Sequence, residues 1–294
     1  MRERVQSLCV ALADLDSALR STDPLERFLA TGDRAEVAVR RDNLQRALSD
    51  FDASTIATTH TFCNRMLEAL GFLGERELVS AIVENVDEMV AEAARDLYMD
   101  GFKDAQAPEF EFGTAEAIAR EALRNPAAVL SPAEDELADP SSPDAHAVLR
   151  RVRFTRRVRA IVERRKREAR IRTYDDLQAI LHRIVRDKEI GEKARARIRE
   201  QFGVVRVDEF QDPDPQQWEI VRCCFHGHLP LVLVGDPKQS IYGFRGAEVL
   251  SYLSAVGTAD QRLALDTNHR SDGDLVAALA RIYGGAQLGH PDIV

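Results

Sequence analysis

Apolar and polar positions alternate between two regimes along this chain. In the last third, Gly203-Val204-Val205-Arg206-Val207 is a short, mostly apolar, β-branched run that ends in two adjacent acids, Asp208 and Glu209. Pro230-Leu231-Val232-Leu233-Val234 repeats the pattern and breaks at Gly235-Asp236-Pro237 into a polar loop. Such runs, bounded by turn residues, predict buried strands of a parallel sheet whose carboxyl ends deliver polar groups to one edge. Arg262-Leu263-Ala264-Leu265-Asp266 is a third candidate strand, followed by Thr267-Asn268-His269-Arg270-Ser271. Arg206 departs from the pattern, because a buried arginine needs a partner. Either that strand has one exposed or paired position, or a neighbouring strand is missing.

Upstream the period changes. Residues 1–72 predict opening helices, a strand near Ser54–Thr59 and a helix through Arg65–Leu70, and 75–130 read as mostly helical. Residues 131–144, rich in Pro, Ser and acids, predict a flexible surface connection. Leu149, Val152, Val158, Ile161 and Val162 then recur at helical spacing. The expected fold class is α/β, with a helical insertion splitting a parallel-sheet domain, and no solenoid repeat.

Charge alters the picture of the insertion. The chain of 294 residues has a formal net charge of −9, yet residues 150–172 hold twelve Lys or Arg and two acids, about +10, leaving about −19 elsewhere. The basic run is either a solvated helix face or a surface that tracks phosphates. No apolar run approaches a membrane span, and the first residues alternate Arg and Glu, unlike a signal peptide. Cys9, Cys63, Cys223 and Cys224 form no Cys-x-x-Cys pair, so reduced cytosolic thiols are the simplest reading. Cys223-Cys224-Phe225-His226-Gly227-His228 has no second spaced pair with which to build a tetrahedral metal site.

The chemistry concentrates at the predicted strand ends. An Asp at a strand tip can hold the magnesium that bridges nucleotide phosphates, and a neighbouring Glu can orient the attacking water. Asp208 and Glu209 are the candidates, against the alternative of a solvated acidic turn. In open α/β sheets the ligand crevice lies outside this edge, which also carries Asp236, Gln239, Tyr242, Phe244 and Arg245.

The order of motifs resembles the UvrD-like superfamily 1 helicases, and among them the RecB-type subunits of exodeoxyribonuclease V. Thr58-Thr59-His60-Thr61-Phe62-Cys63 is similar to an early DNA-contacting motif, and Tyr174-Asp175-Asp176-Leu177 to the acidic helix start before the Walker B strand. Val207 to Asp212 resembles Walker B, Gly235 to Gly246 the motif coupling ATP to DNA, and Asn268-His269-Arg270-Ser271 the motif after it. The resemblance implies an incomplete RecA-like P-loop NTPase domain, with 1–74 and 173–294 as its two parts and 75–172 as an inserted helical subdomain.

It further implies ATP and Mg2+ as cofactors, with Asp208 on magnesium, Glu209 activating water, Gln239 sensing the γ-phosphate and Arg270 acting as an internal arginine finger. Asp236 and His269 would border the nucleotide, His269 standing where the family usually carries a larger aromatic. Thr59, His60 and Phe62, with Tyr242, Phe244 and Arg245, would face single-stranded DNA.

The implied activity is ATP-dependent 3′-to-5′ translocation on DNA ends, in the cytoplasm, with RecC- and RecD-like companions. No segment fits Gly-x-x-x-x-Gly-Lys-Ser/Thr, the phosphate cradle. The chain is therefore expected to begin just after that loop and to end before the second motor and nuclease domains. Alone it should neither hydrolyse ATP nor unwind DNA, and its unpaired strand edges should favour aggregation. A non-catalytic DNA-binding or subunit-interaction piece is the alternative.

Overall fold

A computed structural model describes residues 1–71, 81–103, 108, 110–124, 130–131, 143–240, 249–265, 267–268 and 270–286. Two compact units divide the chain, Met1–Thr58 and Thr59–Val294.

The first unit holds four helices, α1 (Arg2–Ala11), α2 (Leu15–Leu19), α3 (Pro24–Ala30) and α4 (Arg34–Ser49), around Leu12, Ala18 and Ala30. Their starts are written in the sequence. Asp23 caps α3 ahead of Pro24, and Asp33 with Glu36 forms a reciprocal capping box on α4, satisfying amide donors that a helix start leaves open. The expected strand near Ser54–Thr59 is absent. A single 3-10 turn at Phe51–Ala53 leads into irregular chain, and the next helix begins at Thr59, six residues before the expected Arg65. β-branched residues there favour extended backbone, but a strand also needs a ladder neighbour, and none pairs with this segment among the described residues.

In the second unit α5 (Thr59–Leu70) precedes a short strand β1 (Ala81–Ile82), followed by α6 (Asp87–Phe102), α7 (Phe112–Arg124) and the long α8 (Pro143–Ala169). Strand β2 (Ile171–Arg172) then pairs in parallel with β1, Ala81 opposite Ile171 and Ile82 opposite Arg172. The two paired strands thus bracket α6, α7 and α8 in the sequence. Arg170, at φ +53, makes the left-handed turn between α8 and β2. Helices α6, α7 and α8 enclose their own core of Val90, Ala93, Ala94, Leu97, Ala115, Ala119, Phe154, Val158 and Val162.

After β2 come α9 (Tyr174–Arg186), α10 (Gly191–Arg199), β3 (Val205–Val207), α11 (Pro215–Phe225), β4 (Leu231–Leu233), α12 (Val249–Gly257) and α13 (Gly273–Tyr283). Helices α5, α9, α10 and α11 bury Cys63, Met66, Leu70, Leu181, Val185, Ile198, Cys224 and Phe225 in a second core. The acidic start Tyr174-Asp175-Asp176 is a helix start as expected, capped by Thr173 and Asp176 in a reciprocal box. Strands β3 and β4 are parallel and in register, Val205 with Leu231 and Val207 with Leu233. Both predicted runs are therefore strands, and they are neighbours, but they are not buried as expected: Val204 is 60 % and Val232 46 % exposed, the pair having no further strand beside it among the described residues. The third run is not, since residues 261–265 carry no ladder and Leu263 and Leu265 are each 93 % exposed.

Candidate functional site

The carboxyl edge of β3 and β4 gathers the chemistry. After Val207 the chain makes a tight detour through Asp208 and Glu209, and Phe210 N–H returns to donate to the Val234 carbonyl at 2.8 Å. Val234 N–H in turn donates to Val207 O at 2.9 Å. Phe210 anchors the detour, buried against Trp218 with ring centroids 5.3 Å apart. With backbone and aromatic fixed, the two carboxylates between them are left exposed at the strand tip.

Asp208 accepts from Arg206 at 3.1 Å, and both side chains are more than half exposed. The irregular arginine of β3 is thus an exposed, paired position, the first of the two alternatives. Glu209 adopts φ +51, a left-handed conformation that side chains other than glycine adopt at a cost. Its carboxylate accepts from Gln211 Nε2 at 2.7 Å. Asp212 Oδ1 is buried without a hydrogen-bond partner. Burial, and secondly the Glu209 charge, push the Asp212 carboxyl above its ordinary value.

On the β4 side Asp236 caps a 3-10 turn at Pro237–Gln239, accepting from Lys238 N–H at 3.0 Å and from the Gln239 side chain at 3.2 Å. Asp236 N–H donates to Gln211 Oε1 at 3.1 Å, and Ser240 Oγ donates to Gln211 O at 3.3 Å. Asp208, Glu209, Asp236 and Gln239 are therefore brought to one edge, as the strand pattern predicts. Gln211, which ties the two loops together, was not among the expected residues.

The other candidates stand elsewhere. Tyr242, Phe244, Arg245 and His269 lie outside the described residues. Arg270 is exposed, its N–H and that of Ser271 donating to Asn268 Oδ1 at 2.9 and 3.1 Å in a side-chain-closed turn. Thr59 and His60 open α5 half-buried, the His60 ring 5.3 Å from Tyr174. Phe62 points to the second core instead, 6.2 Å from both Phe202 and Phe225.

A polar tie links this edge to the helices behind it. Buried Gln178 donates to Asp214 at 2.7 Å and accepts from Gln217 at 2.9 Å, joining α9 to the start of α11. Asp214 also caps α11 ahead of Pro215. The Asp175 carboxyl is raised, first by burial, with the His60 charge opposing and Asp176 and Asp214 adding.

The basic run forms α8. Arg150, Arg153, Arg157 and Arg164 recur at spacings that place them on one helix face, and all four are exposed, as is Arg167. Arg157 and Arg164 make only loose ion pairs, at 4.0 Å to Asp100 and 3.7 Å to Glu168. Lys166 is the exception, 5 % exposed and bound to Glu163 and Asp176.

The donor set at the strand edge is all oxygen. Among the described residues no group of three or more His, Cys, Asp or Glu side chains is arranged to hold a metal by itself. Magnesium uses one or two carboxylates and completes its shell with phosphate and water, so Asp208 could hold it only together with such partners. Asp208 and Glu209 are exposed, while Asp212 Oδ1, four and three residues further on, is a buried acceptor without a partner.

The family model for the UvrD/REP helicase N-terminal domain matches residues 1–259. This chain belongs to that helicase family. Among curated UvrD/REP relatives, the RecBCD enzyme subunit RecB of Mycolicibacterium smegmatis is 42 % identical over an alignment of 298 residues, covering all of this chain and 26 % of the relative. The RecB subunit of Mycobacterium tuberculosis is 40 % identical over 297 residues, with the same coverage. The RecB subunit of Escherichia coli K12 is 41 % identical over 129 residues, 43 % of this chain and 11 % of the relative. This UvrD/REP chain thus spans about a quarter of the length of the mycobacterial relatives it matches. Among the described residues no helix is long and apolar enough to cross a membrane.

Proposed function

We propose that this chain supplies the Walker B half of a RecA-like ATP site in a RecB-type, 3′-to-5′ DNA helicase-nuclease subunit that acts on DNA ends in the cytoplasm. The observation that carries the reading is the parallel β3–β4 pair, which brings Asp208-Glu209 and the Asp236–Gln239 loop to one edge. Bound magnesium would neutralise phosphate charge as the terminal phosphoryl group is transferred to water. Asp208 and the orphaned Asp212 oxygen would hold that ion and its waters. Glu209 would accept the proton of the attacking water, Gln239 would meet the outer phosphate, and Arg270 would offset charge on it. The exposed stripe of α8, with Thr59 and His60, would follow the DNA backbone, and RecC- and RecD-like chains would be the companions.

Because the sequence holds no phosphate cradle, the 294 residues alone do not hydrolyse ATP in this reading. A second reading, a DNA-binding piece without catalysis, is favoured by the basic face of α8 together with that missing sequence. One experiment separates them. The chain replaces the matching 26 % of the Mycolicibacterium smegmatis RecB subunit, and DNA-stimulated ATP hydrolysis is measured for the exchange subunit and for the chain alone. Turnover by the exchange subunit that Glu209→Gln abolishes, with none from the chain alone, is the expected result. Turnover indifferent to Glu209→Gln would overturn the catalytic reading. DNA-stimulated hydrolysis by the chain alone would overturn its inactivity.

A further inference from the structure

Gln211 is 2 % exposed although its neighbours in sequence include exposed acids. A buried amide is costly unless both ends are bonded, and here both are. The partners also fix which way it points, since a carboxylate only accepts and a backbone N–H only donates. Nε2 must face Glu209 and Oε1 must face Asp236 N–H. The seat is tight as well. A Cβ on Gly235 would stand 2.8 Å from Gln211 Oε1 and 3.0 Å from the backbone nitrogens of Phe210 and Gln211, so a side chain there would push the amide oxygen aside and crowd that backbone.

We infer that Gln211 is a positioning residue, holding the Glu209 carboxylate in fixed relation to the Asp236–Ser240 loop so that movement of that loop re-aims the carboxylate. The inference rests on the reading of Glu209 as the water-activating group. Glu209 has little else to orient it, being exposed on a left-handed backbone with its carboxylate bonded to Gln211. The loop, in turn, holds Gln239 through Asp236. One amide therefore spans the hydrolytic and the phosphate-sensing sides of the edge.

The test uses amide hydrogen exchange, resolved by NMR, on the 294-residue chain, and ATP turnover of the exchange subunit. Gln211→Leu removes both bonds, so Asp236 N–H should exchange about tenfold faster. Phe210 and Val234, whose amides serve the strand pairing, should keep their protection. Gln211→Glu, read at a pH where the new carboxyl is ionised, keeps an acceptor for Asp236 but sets a like charge against Glu209 in place of the donor. It should restore the Asp236 protection while kcat in the exchange subunit stays roughly 10- to 100-fold down, with KM for ATP changed less than about twofold.

Unchanged Asp236 exchange in Gln211→Leu would overturn the inference, and so would wild-type kcat in Gln211→Glu. If Gln211→Leu also strips protection from Phe210 and Val234, the Gln211→Glu arm decides. If Glu209→Gln leaves turnover intact, the ATP-site reading falls, and with it the positioning role. If Glu209→Gln abolishes turnover and Gln211→Glu does not, only the positioning role falls.

Discussion

Lys166 Nζ stands 2.6 Å from Asp176 Oδ1, while Asp176 Oδ2 accepts the Thr173 N–H at 2.7 Å. One carboxylate therefore serves both the last turns of α8 and the cap of α9. Burial works against the Lys166 charge, but the bonds to Asp176 and Glu163 outweigh it and hold the ammonium above its ordinary value.

Lys166→Met should cost roughly 2–4 kcal/mol, less than a fully buried pair because Asp176 keeps some exposure to water. Urea unfolding of the wild type and variant measures it. Since the folded lysine is raised, its contribution is fully present below the unfolded lysine value and disappears as pH rises through the folded one. The difference between the two proteins should therefore hold at neutral pH and shrink only in strong alkali.

Glu192 gives the opposite sign. Bonds from Arg195, then Arg199, lower its carboxyl from 4.5 to about 2. Stability from this exposed cluster is present above the upper value and is lost as pH falls towards the lower. Glu192→Gln should leave a urea midpoint that changes less than wild type across that window. Added salt should reduce the difference, because exposed pairs are screened.

The thiols should divide two and two. Burial raises Cys63 and Cys224 to about 12, with Asp214 adding at the first and Cys223 at the second. Cys9 and Cys223 are partly exposed. A chromogenic disulfide reagent at neutral pH should titrate two thiols in the folded chain and four after denaturation. Rapid reaction of all four in the folded chain would count against the packing of α5 on α11.

How much of this was legible in the sequence depends on what each residue needed from elsewhere. Val205, Val207, Leu231 and Leu233 announce their strands because short apolar runs between turn residues have few other uses. Leu149, Val152, Val158 and Val162 are buried on α8 as their spacing predicts. Leu263 and Leu265 alternate just as convincingly, yet both stand in solvent. Alternation supplies a face, and a strand also needs a neighbouring edge that local pattern does not encode. Gln211 escaped for the converse reason: a polar residue among acids reads as surface, and its burial follows from the close approach of Gly235, 24 residues later in the chain.

Single substitutions of Arg157, Arg164 and Arg167 to alanine should weaken DNA binding by the purified chain without changing its unfolding midpoint. Each phosphate contact removed should lower the slope of log K against log salt by about 0.7 for a single strand. Fluorescence anisotropy with a labelled oligonucleotide across a salt series reads both quantities. Slopes identical to wild type in all three variants would leave α8 a solvated face.

The backbone of Glu209 sets stability and chemistry at odds. A left-handed φ of +51 favours glycine or asparagine, and a glutamate held there gives up about 1–2 kcal/mol. A library selected for thermal tolerance alone should therefore discard the carboxylate first at this position. A selection that also demands turnover from the exchange subunit should keep it. Residue 209 is where those two pressures can be read apart, so a variant that gains melting temperature by losing this acid marks the boundary between a better-folded protein and a working one.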